Sequence, residues 1–264
     1  MATITTSMVL LRWPLLSAVL MFLASTLNIQ FRKSDYAGLA VISTVLGLGA
    51  ACWFATGLLG ITLPREYGGA AFDYQAAAES LEKMATGNAS MAVTLEGHFK
   101  TIEQFIKYGN KSLNDAYLPS AAKRIFAFSM TEPSGGSNPK GIATRAIKQG
   151  DNWVITGDKI MITNGGLAEV YCVLAKTEDD QMAVFVVDKD MPGFKFGKRE
   201  DFIGLKGVPV GEVVLNHVVV PDNHLLGRIG QGLEIGDNAH ADARVLMGAV
   251  LAGIRSEEHT SELQ

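Results

Sequence analysis

Thr131-Glu132-Pro133-Ser134-Gly135-Gly136-Ser137-Asn138-Pro139 is the stretch on which the reading of this chain turns. It follows the apolar run Ile125-Phe126-Ala127-Phe128-Ser129-Met130, which reads as the end of a buried strand. Pro133 fixes one φ angle, and Gly135-Gly136 lets the backbone turn where a Cβ would clash. The loop therefore presents bare amides and small hydroxyls, a surface suited to an anionic or flat ligand. The competing reading of the same residues is an ordinary Gly-Ser turn.

Working outward, the sequence changes period at Ile125. Downstream, 144–148, 152–156, 159–162, 170–176, 182–188 and 212–220 read as short strands rich in Val, Ile and aromatics. Gly150-Asp151 and Gly157-Asp158 read as hairpin turns, and Met191-Pro192-Gly193 as another. Such spacing predicts a small barrel or sandwich. Phe185 and Phe194 read as core, and Lys195, Lys198 and Arg199 as a solvated patch or, alternatively, a patch that favours a ligand phosphate. Upstream, Asp73 is the expected cap of a helix to about Met84, with Ala76, Ala77, Leu81 and Met84 on one face. Gly87-Asn88 interrupts, and a second helix runs from Ser90 to about Tyr108 on the stripe Ala92, Leu95, Phe99, Ile102 and Ile106. Ser112 or Asn114 opens a short helix ending near Pro119. Glu96 and His98 stand two apart and face different directions, so they read as a solvated carboxylate and a packing histidine. A last helix follows Gly230-Gln231-Gly232 and ends at Ile254. Helices on either side of a β unit give an α+β fold.

The bulk numbers exclude several classes. A formal net charge of −4 over 264 residues leaves no electrostatic footprint for nucleic acid. Cys52 and Cys172 form neither a disulfide framework nor a zinc pattern, and the histidines have no ligand spacing, so no protein-bound metal is predicted. No Gly-x-Gly-x-x-Gly follows a strand and opens a helix. Residues 13–31 and 37–64 each lack any charge and are long enough to cross a membrane. For residues 1–56 three readings stand open: a membrane anchor, an unusual buried segment, or a wrong frame or start site.

The wording of the opening loop resembles the flavin loop of the acyl-CoA dehydrogenase family, TEPxAGS followed by Asp. Gly157-Asp158-Lys159-Ile160-Met161-Ile162-Thr163-Asn164-Gly165-Gly166 resembles the family's G-x-K-x-W-I-T-N-G-G. Leu58 to Gly69, ending Pro64-Arg65-Glu66-Tyr67-Gly68-Gly69, is a third match in the right order. The resemblance covers about residues 57–254. It implies helices, a central β-barrel or sandwich, and the start of a carboxy-terminal helical bundle that is mostly missing. The implied divisions are 1–56, hydrophobic; 57–124, helical; 125–225, β; 226–254, first bundle helix; and 255–264.

The resemblance also implies a site and a reaction. FAD would be held by Phe128, Met130, Thr131, Gly136, Ser137, Met161, Ile162 and Thr163. Ser137 and Arg244 would bind the acyl-CoA thioester, although a lone arginine also suits a surface ion pair. The implied reaction is α,β-dehydrogenation of an acyl-CoA to a 2-enoyl-CoA, its base a glutamate beyond the end of this chain, so the 264 residues as given are expected to be inactive. Alternatives are an enoyl-CoA reductase, another flavin oxidoreductase of the fold, or a non-catalytic binding fragment. The implied partners are a second copy of the chain, as dimer or tetramer, and an electron-transfer flavoprotein. The two cysteines fit a reducing compartment, and the expected location is the cytoplasm, with membrane association through residues 13–56 as the alternative. Asn138 stands where the family has Asp and Met161 where it has Trp; both read as tuning, since an amide still hydrogen-bonds and a thioether still contacts a ring. Arg255 to Gln264 resembles an in-frame translation of a common sequencing adapter, so its glutamates are not catalytic candidates.

Overall fold

The computed structural model describes the backbone of residues 57–262 and the side chains of residues 57–256. The three readings of residues 1–56 fall outside that range. Helix α1 (Tyr74–Tyr108) begins where Asp73 accepts a 2.9 Å bond from the Ala76 amide. Its φ/ψ leave the helical region at Asn88 (−157°, 93°), the expected break, and the Asn88 side chain caps the second half by accepting from Met91 at 3.0 Å. Leu81, Met84, Leu95, Phe99 and Ile102 form its buried stripe. Helix α2 (Lys111–Ala121) starts at Asn110, which accepts from the Leu113 amide.

Helix α3 (Gly232–Glu262) packs along α1. It runs past Ile254, the expected end, because the residues up to Glu262 contain no Gly or Pro stop. Glu96 corrects a second expectation. It is buried, 2 % exposed, on the helix that packs along α3, and pairs with Lys100 one turn on. His98 is a packing residue as expected. Its Nε2 donates to the Leu59 carbonyl and its Nδ1 accepts from the Phe126 amide at 3.0 Å, which tethers α1 to the first strand.

The strands are β1 (Phe126–Ser129), β2 (Arg145–Gln149), β3 (Asn152–Thr163), β4 (Val170–Lys176), β5 (Met182–Asp188), β6 (Phe194–Arg199), β7 (Val210–Pro221) and β8 (Leu225–Leu226). They form one sheet in the order β6-β7-β3-β2-β4-β5-β8, with β1 alongside β4. The fold is α+β as expected, but the sheet is not closed into a barrel. Parallel β2 and β4 meet at the single pair Arg145–Lys176, and the terminal strands do not pair with each other. One edge is β6, whose exposed Lys195, Lys198 and Arg199 suit solvent; the other, β8, is two residues long.

Gly157-Asp158 is not a hairpin turn. β3 runs through it, with register shifts against β7 at Ile155/Gly157 and at Lys159/Ile162. A Cβ on Gly157 would sit 2.2 Å from Thr144 Oγ1, so the glycine permits close approach of neighbouring backbone. The main core lies where α1, α2 and α3 cover β1, β4 and β5, around Ile102, Phe105, Leu118, Phe126, Leu174 and Val184.

Candidate cofactor site

Two segments that leave the sheet side by side build the site. Met130 and Thr131 continue β1, and the Thr131 carbonyl accepts the Ile160 amide of β3 at 2.9 Å. Beneath this contact lies a buried ion pair, Lys159 Nζ to Glu132 Oε1 at 2.6 Å, with side chains 0 and 2 % exposed. The same ammonium donates to the carbonyls of Leu174 (2.6 Å) and Met130 (3.3 Å). Glu132 also accepts from the Ala143 amide at 2.5 Å and from Thr144 through both amide and hydroxyl. Burial presses the Lys159 pKa down to about 8 against the opposing pull of Glu132, and Lys159 holds the Glu132 carboxyl below its usual range despite burial. All the polar atoms of the pair are thus engaged, the condition under which a buried ion pair is tolerated.

The second register shift of β3 re-aims its end. Met161 adopts φ 58°, a left-handed conformation that costs a non-glycine residue about 1–2 kcal/mol. Its side chain is 46 % exposed. Asn164 (φ 67°) follows and docks on α1, its side-chain amide donating to the Thr94 carbonyl at 2.9 Å. Gly97 permits this approach, since a Cβ there would lie 3.0 Å from the Asn164 side chain.

Phe128, Met130, Thr131, Met161, Ile162 and Thr163 line one cleft of about 150 Å³. Six of the eight sequence-predicted cofactor residues are therefore brought together. Gly136 and Ser137 occupy the exposed tip of the loop, outside the cleft lining, and Arg244 is exposed on α3 one turn beyond the cleft residue His240. Sequence reasoning missed Lys100 of α1 and Ala239 and His240 of α3, which complete the lining. Lys100 stands one turn after Glu96 and His240 one turn before Arg244, but neither spacing points to the cleft without the packing of α1 on α3. His240 is half-buried; burial lowers its pKa first, the charges of Lys100 and Arg244 lower it further, and Asp237 opposes them.

The lining is flat-ligand chemistry: aromatic, thioether and branched aliphatic side chains with two threonine hydroxyls able to donate or accept. A cleft of about 150 Å³ is smaller than the roughly 300–1,000 Å³ of a complete small-molecule pocket.

Helices packed over an open sheet, with two strand-end segments converging on one cleft, define an α+β domain. Residues 127–218 match the family described as acyl-CoA dehydrogenase, middle domain, and residues 1–91 match a family of unknown function. An acyl-CoA dehydrogenase of Bacillus subtilis is 35 % identical over 186 residues, covering 68 % of this chain and 49 % of that protein. Cyclohex-1-ene-1-carbonyl-CoA dehydrogenase of Syntrophus aciditrophicus is 34 % identical over 219 residues, covering 78 % and 53 %. The crystal structure of a glutaryl-CoA dehydrogenase from Mycobacterium smegmatis in complex with FADH2 superposes with a TM-score of 0.71 at 29 % identity, covering 77 % and 53 %. The chain belongs to the acyl-CoA dehydrogenase family. It spans about half the length of the curated relatives it matches. Among the described residues, no helix is long and apolar enough to cross a membrane.

Proposed function

We propose that this chain carries the flavin-facing part of an enzyme that oxidises an acyl-CoA to its 2-enoyl-CoA. The observation that carries the reading is the convergence of Phe128, Met130 and Thr131 with Met161, Ile162 and Thr163 in one cleft. These residues fit an FAD ring: the apolar side chains suit its faces, and the Thr131 and Thr163 hydroxyls suit its polar edge. When bound, FAD supplies the acceptor for the hydrogen lost from the β-carbon. The chain's own residues bind and orient the ring, while the buried Glu132–Lys159 pair keeps the backbone beneath it from shifting. Gly136 and Ser137 at the loop tip and Arg244 on α3 are assigned to the phosphates and the CoA thioester.

No carboxylate lines the described cleft. The base for the α-proton, which must come within hydrogen-bond reach of that carbon, is therefore assigned to a segment outside residues 57–256. A second copy of the chain and an electron-transfer flavoprotein are the proposed protein partners. Anaerobic addition of a panel of acyl-CoAs to a flavin-loaded protein that includes the segment carrying the base tests the reading. The expected result is bleaching of the flavin absorbance by at least one saturated thioester. Bound flavin that no acyl-CoA bleaches would leave a binding fragment in place of a dehydrogenase.

A further inference from the structure

The cleft is asymmetric. Its strand-derived lining is apolar or hydroxylic, whereas its helix-derived lining carries two basic side chains, Lys100 from α1 and His240 from α3. We infer that this helical end receives an anionic group on the acyl part of the ligand, so that the substrate class is acyl-CoA thioesters bearing a second carboxylate. The inference rests on the acyl-CoA reading of the cleft and narrows it.

The state of Lys100 is the main argument. Its side chain is 16 % exposed, and its ammonium has one acidic partner, Glu96, at 3.3 Å to Oε1 and 3.5 Å to Oε2. Both distances exceed the roughly 2.7–2.9 Å of a good charge-assisted bond. An ammonium has three donors, so a weak contact to one side chain leaves capacity toward the cleft. Burial raises the pKa of Glu96, which weakens the negative charge set against Lys100. A purely aliphatic acyl tail filling the cleft would remove water from Lys100 and return no partner, an unfavourable exchange.

The surrounding charges favour the same sign of ligand. Arg244 lies one turn beyond His240, and its charge and that of Lys100 both act on the imidazole. Of the nearby acids, Asp242 is taken by Lys107 at 3.1 Å and by the Gln104 amide at 2.9 Å, and Glu103 by Lys107 at 3.6 Å. Asp237 alone opposes at His240. An anion entering between Lys100 and His240 gains the free donors of the first and a hydrogen bond from the second.

The test is calorimetric binding to the full chain, with and without FAD. The probes are succinyl-, glutaryl- and adipoyl-CoA, each set against the neutral acyl-CoA of equal carbon count. The expected preference for the best carboxylated ligand is about 10-fold or more, the size of one charge-assisted hydrogen bond. Lys100→Met should abolish that preference by weakening only the carboxylated ligands, with neutral acyl-CoA held as well as before or better because the ammonium its tail would desolvate is gone, and Lys100→Arg should keep the preference. The neutral ligands share the CoA phosphates, so a phosphate contact at Arg244 cancels from the comparison. Equal affinity for both classes, or equal weakening of both by Lys100→Met, overturns the inference even where FAD binds. Failure to bind FAD with the preference intact instead counts against the flavin reading alone.

Discussion

The root and the tip of the loop from Thr131 to Pro139 are held in opposite ways. At the root, Glu132 is 3 % exposed and bonded to Lys159, Ala143 and Thr144. At the tip, Ser134, Gly136, Ser137 and Asn138 are exposed, and nothing lies within 4 Å of where a Gly136 Cβ would stand. A single motif thus contains a part that secures the fold and a part free to meet a ligand. Stability and binding should therefore separate along a few residues.

Lys159→Met should show the largest effect. It leaves the Glu132 carboxylate buried without its cation, a change that costs about 3–5 kcal/mol, read as a lowered denaturation midpoint. Adding Glu132→Gln should recover part of the loss by removing the unpaired charge. If Lys159→Met were neutral, the root would not be a latch.

The second effect concerns His98, which ties α1 to Phe126 at the start of the strand that leads into the root. Burial lowers its pKa to about 4, below the ordinary 6.5. As pH falls from 6.5 toward 4, the unfolded chain takes up a proton that the folded chain refuses. This contribution to stability is complete above 6.5 and is lost on acidification by about 1.4 kcal/mol per pH unit. Denaturation curves at several pH values should therefore converge for wild type and His98→Gln as pH falls. Parallel curves would mean that His98 is protonated in the folded state.

Much of this was legible in the sequence. The Gly87-Asn88 break, the Asp73 cap, and strands β4 and β5 follow from local signals, because caps and continuous apolar runs are decided within a few residues. Gly157-Asp158 was misread because a glycine signals a bulge and a turn alike, and the choice depends on pairing with Leu215 and Val214 of β7, far along the chain. Barrel closure likewise depends on whether β6 and β8 meet, which no local pattern encodes. The strand-side lining of the cleft was readable from its motifs. The helix-side lining was not, since Lys100 and His240 become neighbours only when α1 and α3 pack.

Met161 sharpens the comparison with a smaller effect. Replacement by Gly relieves the φ 58° strain but adds unfolded-chain entropy, so stability should rise by at most about 1 kcal/mol. The same change removes a cleft side chain and should weaken FAD. Smallest of all is Ser137→Ala, expected to alter stability by no more than about 0.5 kcal/mol at an exposed site while lowering ligand affinity a few-fold. A large stability loss at Ser137 would erase the distinction between root and tip.

The central claim, that Thr131 and Met161 belong to one wall of a flavin site, is tested most directly by fluorescence titration of FAD into the full chain. Saturable binding is expected, weakened by about 3–10-fold in Thr131→Val, the size of one lost hydrogen bond, and unchanged in Gly204→Ala on the β6–β7 loop, which contributes no residue to the cleft lining. Absence of binding, or binding indifferent to Thr131→Val and Met161→Gly alike, would contradict it.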